Sequence, residues 1–113
     1  MKELKEAFPQ LRNELNQEYG FLHLEIHAFT RFVQGLIDAG EKDTLVKALQ
    51  IADRFLRYGN GKIVNAVTVS FLEHLNFKDG KVPRQWAWDC MTPALKTQYH
   101  AIMKYNEELM RKK

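Results

Sequence analysis

The chain has 113 residues, of which 45% are hydrophobic and 27% charged, so it is long enough for one hydrophobic core and has the composition of an ordinary globular domain. No stretch approaches the roughly 18 consecutive apolar residues of a membrane helix, so no membrane-spanning segment is predicted. The net charge is +3, but residues 1–53 carry 6 Lys/Arg against 9 Asp/Glu and residues 54–113 carry 11 against 5, so the two halves have opposite sign.

The first half of the chain predicts three helices. Apolar residues at spacings of three and four form the first, which Pro9 bends or begins. The second covers residues 22–39, and Gly40 provides a left-handed stop after it. The third begins at Asp43 or Thr44, because either side chain can accept a hydrogen bond from a free amide of the first turn.

Residues 59–77, GNGKIVNAVTVSFLEHLNF, are the most informative stretch because they combine a helix stop, a helix start and a nearly unbroken apolar run. Their content of Ile, Val and Thr would by itself favour a strand. However, apolar residues recur at every fourth position, at Ile63, Val67, Phe71 and Leu75. We therefore predict a central helix that is apolar on nearly every side and is covered by its neighbours.

Beyond residue 75 the helical period is lost. Residues 76–86 contain an Asp-Gly pair, a proline and several charges, which predict a loop or a hairpin-like turn. Trp86 and Trp88 lie either in an extended segment or in a short helical turn, and we expect these large aromatics to fold back onto the core. Thr92 as a cap and Pro93 at the first position predict the last helix.

These elements predict an all-α fold. We expect a single domain over residues 1–113, built as an antiparallel array of about five helices that can carry the slight curvature of helical-repeat proteins. The N-terminal sequence MKELKEAF has charges where a secretory signal would be apolar, and the single Cys90 cannot form an internal disulfide. A cytoplasmic location is therefore expected.

Few residues suggest catalysis or metal binding. In the segment HLEIH, His23 and His27 lie one helical turn apart and could share a metal ion. A third ligand would have to come from Glu73, His74 or His100, and no spacing demands that they converge. The segment GNGK lacks the preceding strand and the Lys-Ser or Lys-Thr pair of a phosphate loop. We therefore predict no catalytic residue, no metal, no cofactor and no small-molecule substrate.

Residues 55–75, FLRYGNGKIVNAVTVSFLEHL, resemble the central signature of a family of small all-helical bacterial proteins of uncharacterised domain type. In that signature a helix ends at a small polar turn and an N-A-V, V-S-F-L-E-x-L helix follows. The matching positions are Asn65, Ala66, Val67, Val69, Ser70, Phe71, Leu72, Glu73 and Leu75. Members of such families look like immunity proteins of polymorphic or contact-dependent growth-inhibition toxins. The resemblance covers about half of the chain, mostly at core positions.

The resemblance implies a non-catalytic protein that binds a cognate toxin domain, above all a nuclease, as a one-to-one heterodimer and covers its active site. Immunity proteins of nucleases are often acidic, whereas this chain is net positive, so its acidic first half is the expected contact region. The candidate contacts are the carboxylates Glu14, Glu18, Asp38, Glu41 and Asp43, with Trp86 and Trp88 as aromatic anchors.

Two alternatives from other classes stay open. The basic second half could bind nucleic acid, although its cations are scattered and do not form a run with interleaved aromatics. The cations concerned are Arg54, Arg57, Lys62, Lys78, Lys81 and Arg84. The other alternative is a metal-dependent enzyme centred on His23 and His27. A large secreted protein with a variable C-terminal domain, encoded upstream, would favour the immunity function over both.

Overall fold

A computed structural model describes residues 2–17, 22–79 and 82–111. The described part is all-helical apart from one two-stranded ladder, so the predicted all-α class is confirmed. In chain order the elements are α1 (Lys2–Ala7), a 3-10 turn (Pro9–Leu11), α2 (Arg12–Gln17), α3 (Leu22–Ala39), α4 (Lys42–Tyr58), α5 (Gly61–Ala66), a π-helical turn (Val67–Phe71), a 3-10 turn (Leu72–His74), β1 (Lys78–Asp79), β2 (Val82–Pro83), α6 (Gln85–Asp89) and α7 (Pro93–Arg111).

The first predicted helix is broken at Pro9, as expected. The Phe8 amide still bonds to the Leu4 carbonyl at 2.8 Å, and the Leu11 amide then bonds to the Phe8 carbonyl at 2.9 Å. Because proline has no amide hydrogen, it takes the first position of the new turn without losing a bond. The apolar side chains on both sides of the break are buried, namely those of Leu4, Phe8, Leu11 and Leu15.

The turn between α3 and α4 has the predicted left-handed glycine. Gly40 has φ +73°, its amide bonds to the Ile37 carbonyl at 3.2 Å, and the Glu41 amide bonds to the Leu36 carbonyl at 2.9 Å. The predicted start of the next helix at Asp43 or Thr44 is wrong by one or two residues. Helix α4 begins at Lys42, because the Leu45 amide already bonds to the Glu41 carbonyl at 2.9 Å.

Residues 61–74, called the central helix below, are helical as predicted but not uniformly so. Asn60 caps the helix by accepting a hydrogen bond from the Ile63 amide at 3.0 Å. The second half widens into the π-helical turn and tightens into a 3-10 turn before the chain becomes extended at Leu75. The buried Thr30 hydroxyl lies 2.8 Å from the Ser70 carbonyl and 2.7 Å from the Ile26 carbonyl of α3, so its single hydrogen is shared between α3 and this irregular segment.

The central helix is packed more tightly against α3 than against α7. Phe71 is fully buried and its ring stacks on that of Phe29, with centroids 5.1 Å apart and an interplanar angle of 14°. Val69, on another side of the same helix, is 42% exposed. The prediction that neighbours cover this helix on nearly every side therefore holds for the side facing α3 and fails beside α7.

The segment predicted as a loop or hairpin-like turn contains a short antiparallel ladder of β1 and β2, and residues 80 and 81 between them lie outside the described residues. It is attached to α3 by Gln34, whose side chain accepts from the Asn76 amide at 2.8 Å and donates to the Asn76 carbonyl at 3.0 Å. The tryptophans follow in α6, a short helix that the predicted five-helix array did not include. Helix α7 begins as predicted, with the Leu95 amide donating to the Thr92 hydroxyl at 3.2 Å. Within the described part of the chain, no helix is both long enough and apolar enough to cross a membrane.

Candidate functional site

The turn between α3 and α4 presents the exposed carboxylates of Asp38, Glu41 and Asp43. Asp38 Oδ1 accepts from Arg84 Nη1 at 2.5 Å and from Gln34 Nε2 at 3.2 Å. The hydrogen bond from Arg84, followed by that from Gln34, lowers the pKa of the Asp38 carboxyl below its ordinary value. Asp38 therefore carries its charge at neutral pH and has a fixed orientation, while its side chain remains 55% exposed.

The same ion pair connects this turn to the tryptophans. Arg84 directly precedes α6 and is its N-cap residue, so the contact with Asp38 brings the start of α6 to the end of α3. Cys90, just after α6, lies within electrostatic reach of Lys42 at the start of α4. We call the surface formed by residues 38–43 and 84–89 the acidic end. It joins two of the predicted contact regions, which lie more than 40 residues apart in sequence.

The two tryptophans have different surroundings within α6. Both are half-buried against the core. Trp88 also lies edge-on to the rings of Phe77, Tyr99 and His100, with centroid distances of 5.5, 5.1 and 5.3 Å. Trp88 therefore anchors α6 to α7, whereas Trp86 belongs to the acidic end without such a ring cluster among the described contacts.

The other predicted acidic contacts lie in the N-terminal region. For Glu14 the structure describes the backbone, which is part of α2. Glu18 lies outside the described residues. Of the predicted contacts, the acidic end therefore contains Asp38, Glu41 and Asp43, together with Trp86.

The histidines of the HLEIH segment have partners from the central helix. His23 Nδ1 lies 2.7 Å from Ser70 Oγ, and the His27 ring contacts that of His74 with centroids 5.1 Å apart. Burial, and then the neighbouring charges of His74, Arg31 and His23, lower the pKa of His27. His100 lies elsewhere, against Trp88. Over the described ranges, no three His, Cys, Asp or Glu residues are grouped as metal ligands.

In the described part of the chain, the contact between His23 and Ser70 has the composition of a nucleophile-and-base pair, and the sequence analysis did not predict it. No local pattern could have revealed it, because the two residues are 47 positions apart. Ser70 is only 2% exposed, and its own backbone carbonyl lies within hydrogen-bond distance of the Thr30 hydroxyl. A substrate cannot reach such a hydroxyl without unfolding the turn, so this pair fixes α3 to the central helix.

Several cations of the nucleic-acid alternative are engaged within the protein. Arg57 Nε lies 2.8 Å from Asp53 Oδ2, and Arg84 pairs with Asp38. Arg54 and Lys62 are exposed on α4 and α5. For Lys78 the structure describes the backbone, in β1, and Lys81 lies outside the described residues. Arg57 and Arg84 are thus each paired with a carboxylate of the protein itself, which lowers their value as phosphate contacts.

The comparisons with known proteins give one match. A family model described as a domain of unknown function, DUF7674, matches residues 1–107. A search of curated proteins and a search of solved structures give no match.

Proposed function

This chain belongs to the DUF7674 family, and we propose that it is a non-catalytic immunity protein that binds a cognate bacterial toxin domain and covers the active site of that domain. The family description names no activity. The proposal rests on the resemblance of residues 55–75 to small helical immunity proteins and on the chemistry of the acidic end.

The observation that carries the proposal is the Asp38–Arg84 ion pair. The pair joins the exposed acidic turn to the start of α6, which contains the half-buried Trp86. One surface would then offer both charges that steer a partner and an apolar side chain that anchors it. A nuclease must attract phosphates and therefore has a basic substrate groove, so an inhibitor that occupies the groove benefits from a negative surface. Tryptophan is among the residues that dominate binding free energy at protein interfaces.

The residues around this surface support binding more than catalysis. The histidine and serine side chains that could act in a reaction lie on α3 and the central helix, and Ser70 is buried. Cys90 is half-buried, and burial raises the pKa of its thiol, which keeps it in the unreactive protonated form. A protein that only blocks the substrate groove of a toxin does not need a reactive histidine, serine or cysteine.

The experiment is coexpression of the chain with the toxin domain encoded beside it. We expect the cells to survive, the two proteins to purify as a one-to-one complex of nanomolar affinity or better, and the purified toxin to lose its activity on adding one equivalent of this protein. Trp86→Ala should speed dissociation of the complex while the fold survives. Trp88→Ala is the contrasting variant, because loss of the ring cluster should lower stability first.

The nucleic-acid alternative is tested with the same protein. Residues 54–113 carry the positive charge of the chain, with 11 Lys/Arg against 5 Asp/Glu. If the chain binds no neighbouring gene product but shifts RNA or DNA with a steep salt dependence, the immunity function is wrong and the basic half is the working surface.

A further inference from the structure

A groove of about 280 Å³ lies between the central helix and α7, and none of its lining residues belongs to the acidic end. Its apolar part is formed by Val69, Ala101, Ile102 and Tyr105. Val69 and Tyr105, which both line this groove, are 42% and 61% exposed, which is high for large apolar side chains. The volume is near the lower limit for small-molecule pockets, so the groove suits a small ligand.

Two hydrogen-bonded bridges close the ends of this groove. Gln98 Nε2 donates to Thr68 Oγ1 at 3.1 Å, and Asn106 Nδ2 donates to Glu73 Oε1 at 2.9 Å. Because both numbers increase together, the central helix and α7 run in the same direction along the groove. The bridges are eight residues apart on α7, or about 12 Å at 1.5 Å per residue. They hold the two helices at a spacing that keeps the apolar part open.

One end of the groove has the chemistry of a cation site. Glu73 is half-buried, and Asn106 uses only one of the roughly four acceptor positions that an ionised carboxylate offers. The Tyr105 ring, which also lines the groove, offers a face that attracts cations. The bridge at the opposite end is formed by the neutral side chains of Thr68 and Gln98.

The backbone of the groove wall is itself unusual. Thr68 and Val69 belong to the π-helical turn, a geometry that is rare and is found frequently at functional sites. In this turn the Leu72 amide bonds to the carbonyls of Thr68 and Val67. The irregularity therefore coincides with the open side of the central helix.

We propose that this groove binds a primary alkylammonium ion, with the ammonium group against Glu73 and Tyr105 and the alkyl chain along Val69, Ala101 and Ile102. The carboxylate supplies the charge and hydrogen-bond acceptors that an ammonium group requires, and the apolar strip takes the chain out of water. Neither the toxin-binding surface nor the immunity function is needed for this site.

The test is a titration of the isotope-labelled full chain with n-hexylamine at neutral pH, followed by NMR. We expect saturable shifts of the Asn106 side-chain amide, which reports on Glu73 directly, and of backbone amides in residues 68–73 and 98–106. The dissociation constant should be about fivefold lower than that for n-hexanol, which has the same chain without the charge. Hexanoate should bind more weakly than either.

Glu73→Gln keeps an acceptor for Asn106 and should reduce hexylamine affinity to that of hexanol. Glu107→Gln removes a carboxylate on the opposite face of α7 and should leave the preference intact. Equal affinity for hexylamine and hexanol in the unaltered protein, the absence of saturable shifts, or an unchanged preference in folded Glu73→Gln would overturn the proposal. The comparison of the two ligands on the unaltered chain holds even if that variant fails to fold.

Discussion

The interior around the central helix and the acidic end are built differently. In the interior, Phe71 stacks on the buried Phe29, and the Thr30 hydroxyl lies within hydrogen-bond distance of the Ser70 carbonyl. At the acidic end, the Asp38–Arg84 ion pair joins the end of α3 to the start of α6, while the neighbouring carboxylates Glu41 and Asp43 stay exposed to water. The interior uses its polar groups internally, whereas the acidic end leaves them available to a partner.

Because of this difference, we expect the interior to determine the stability of the fold and the acidic end to determine association with a partner. Burial of apolar surface dominates folding free energy, while exposed ion pairs contribute about 0–1 kcal/mol each. Substitutions in the interior should therefore change stability before anything else. Those at the acidic end should change association with a partner while the thermal midpoint hardly moves.

The largest effect is expected for Phe71→Ala, which removes a fully buried ring and its stacking contact with Phe29. The free energy of unfolding should fall by about 3–5 kcal/mol, from lost burial and the cavity left behind. Denaturant titration of the variant and the unaltered protein measures this difference in the free energy of unfolding. Val69→Ala, on the open side of the same helix, is the control and should cost less than about 1 kcal/mol. A loss below about 1 kcal/mol for Phe71→Ala would show that the interior is not closed around this ring.

A smaller effect is expected at the entry to the central helix. A Cβ at Gly59 would lie 2.5 Å from the Phe55 carbonyl oxygen and 2.6 Å from Ile63 Cγ2, so the backbone would have to move. Gly59→Ala should cost about 1–3 kcal/mol.

Gly61→Ala is the matched control, because a Cβ there meets nothing within 4 Å. It should be neutral or should stabilise the protein by up to about 1 kcal/mol, since alanine restricts the unfolded chain. Thermal unfolding of the pair tests this, and equal behaviour of the two variants would contradict the close approach at Gly59.

These junctions also show which parts of the fold a sequence can predict. The left-handed Gly40 and the Thr92-Pro93 start depend on neighbouring residues, so local patterns predict them. The Asp38–Arg84 pair and the His23–Ser70 contact join residues 46 and 47 positions apart. Local periodicity contains no information on such pairs. The exposure of Val69 likewise depends on where α7 docks, which the apolar pattern of the central helix cannot specify.

The smallest stability effect is expected for Asp38→Asn. The pair is largely exposed on the Asp38 side, so the loss should stay below about 1 kcal/mol. Because the folded pKa of Asp38 is lowered, its contribution is fully present above the unfolded value of about 3.9 and is lost as pH falls through the folded value.

Urea titrations of Asp38→Asn and the unaltered protein should therefore differ at pH 6 and converge as the pH falls through the lowered folded-state pKa of Asp38. A double-mutant cycle with Arg84→Gln isolates the pair. A difference that persists unchanged at low pH would mean that the charge of Asp38 is not the cause.

The most direct test of the proposed function is the association rate with the neighbouring toxin domain for a variant carrying both Glu41→Lys and Asp43→Lys. The expected result is association about tenfold slower at low salt, an effect that fades as salt screens the charges. Both carboxylates lie at the N-terminus of α4, so the thermal midpoint should fall slightly, far less than for Phe71→Ala. Glu107→Lys, a single reversal on α7, should leave the rate nearly unchanged. An unchanged rate for the double reversal, or an equal loss for Glu107→Lys, would contradict the assignment of the acidic end as the toxin-binding surface.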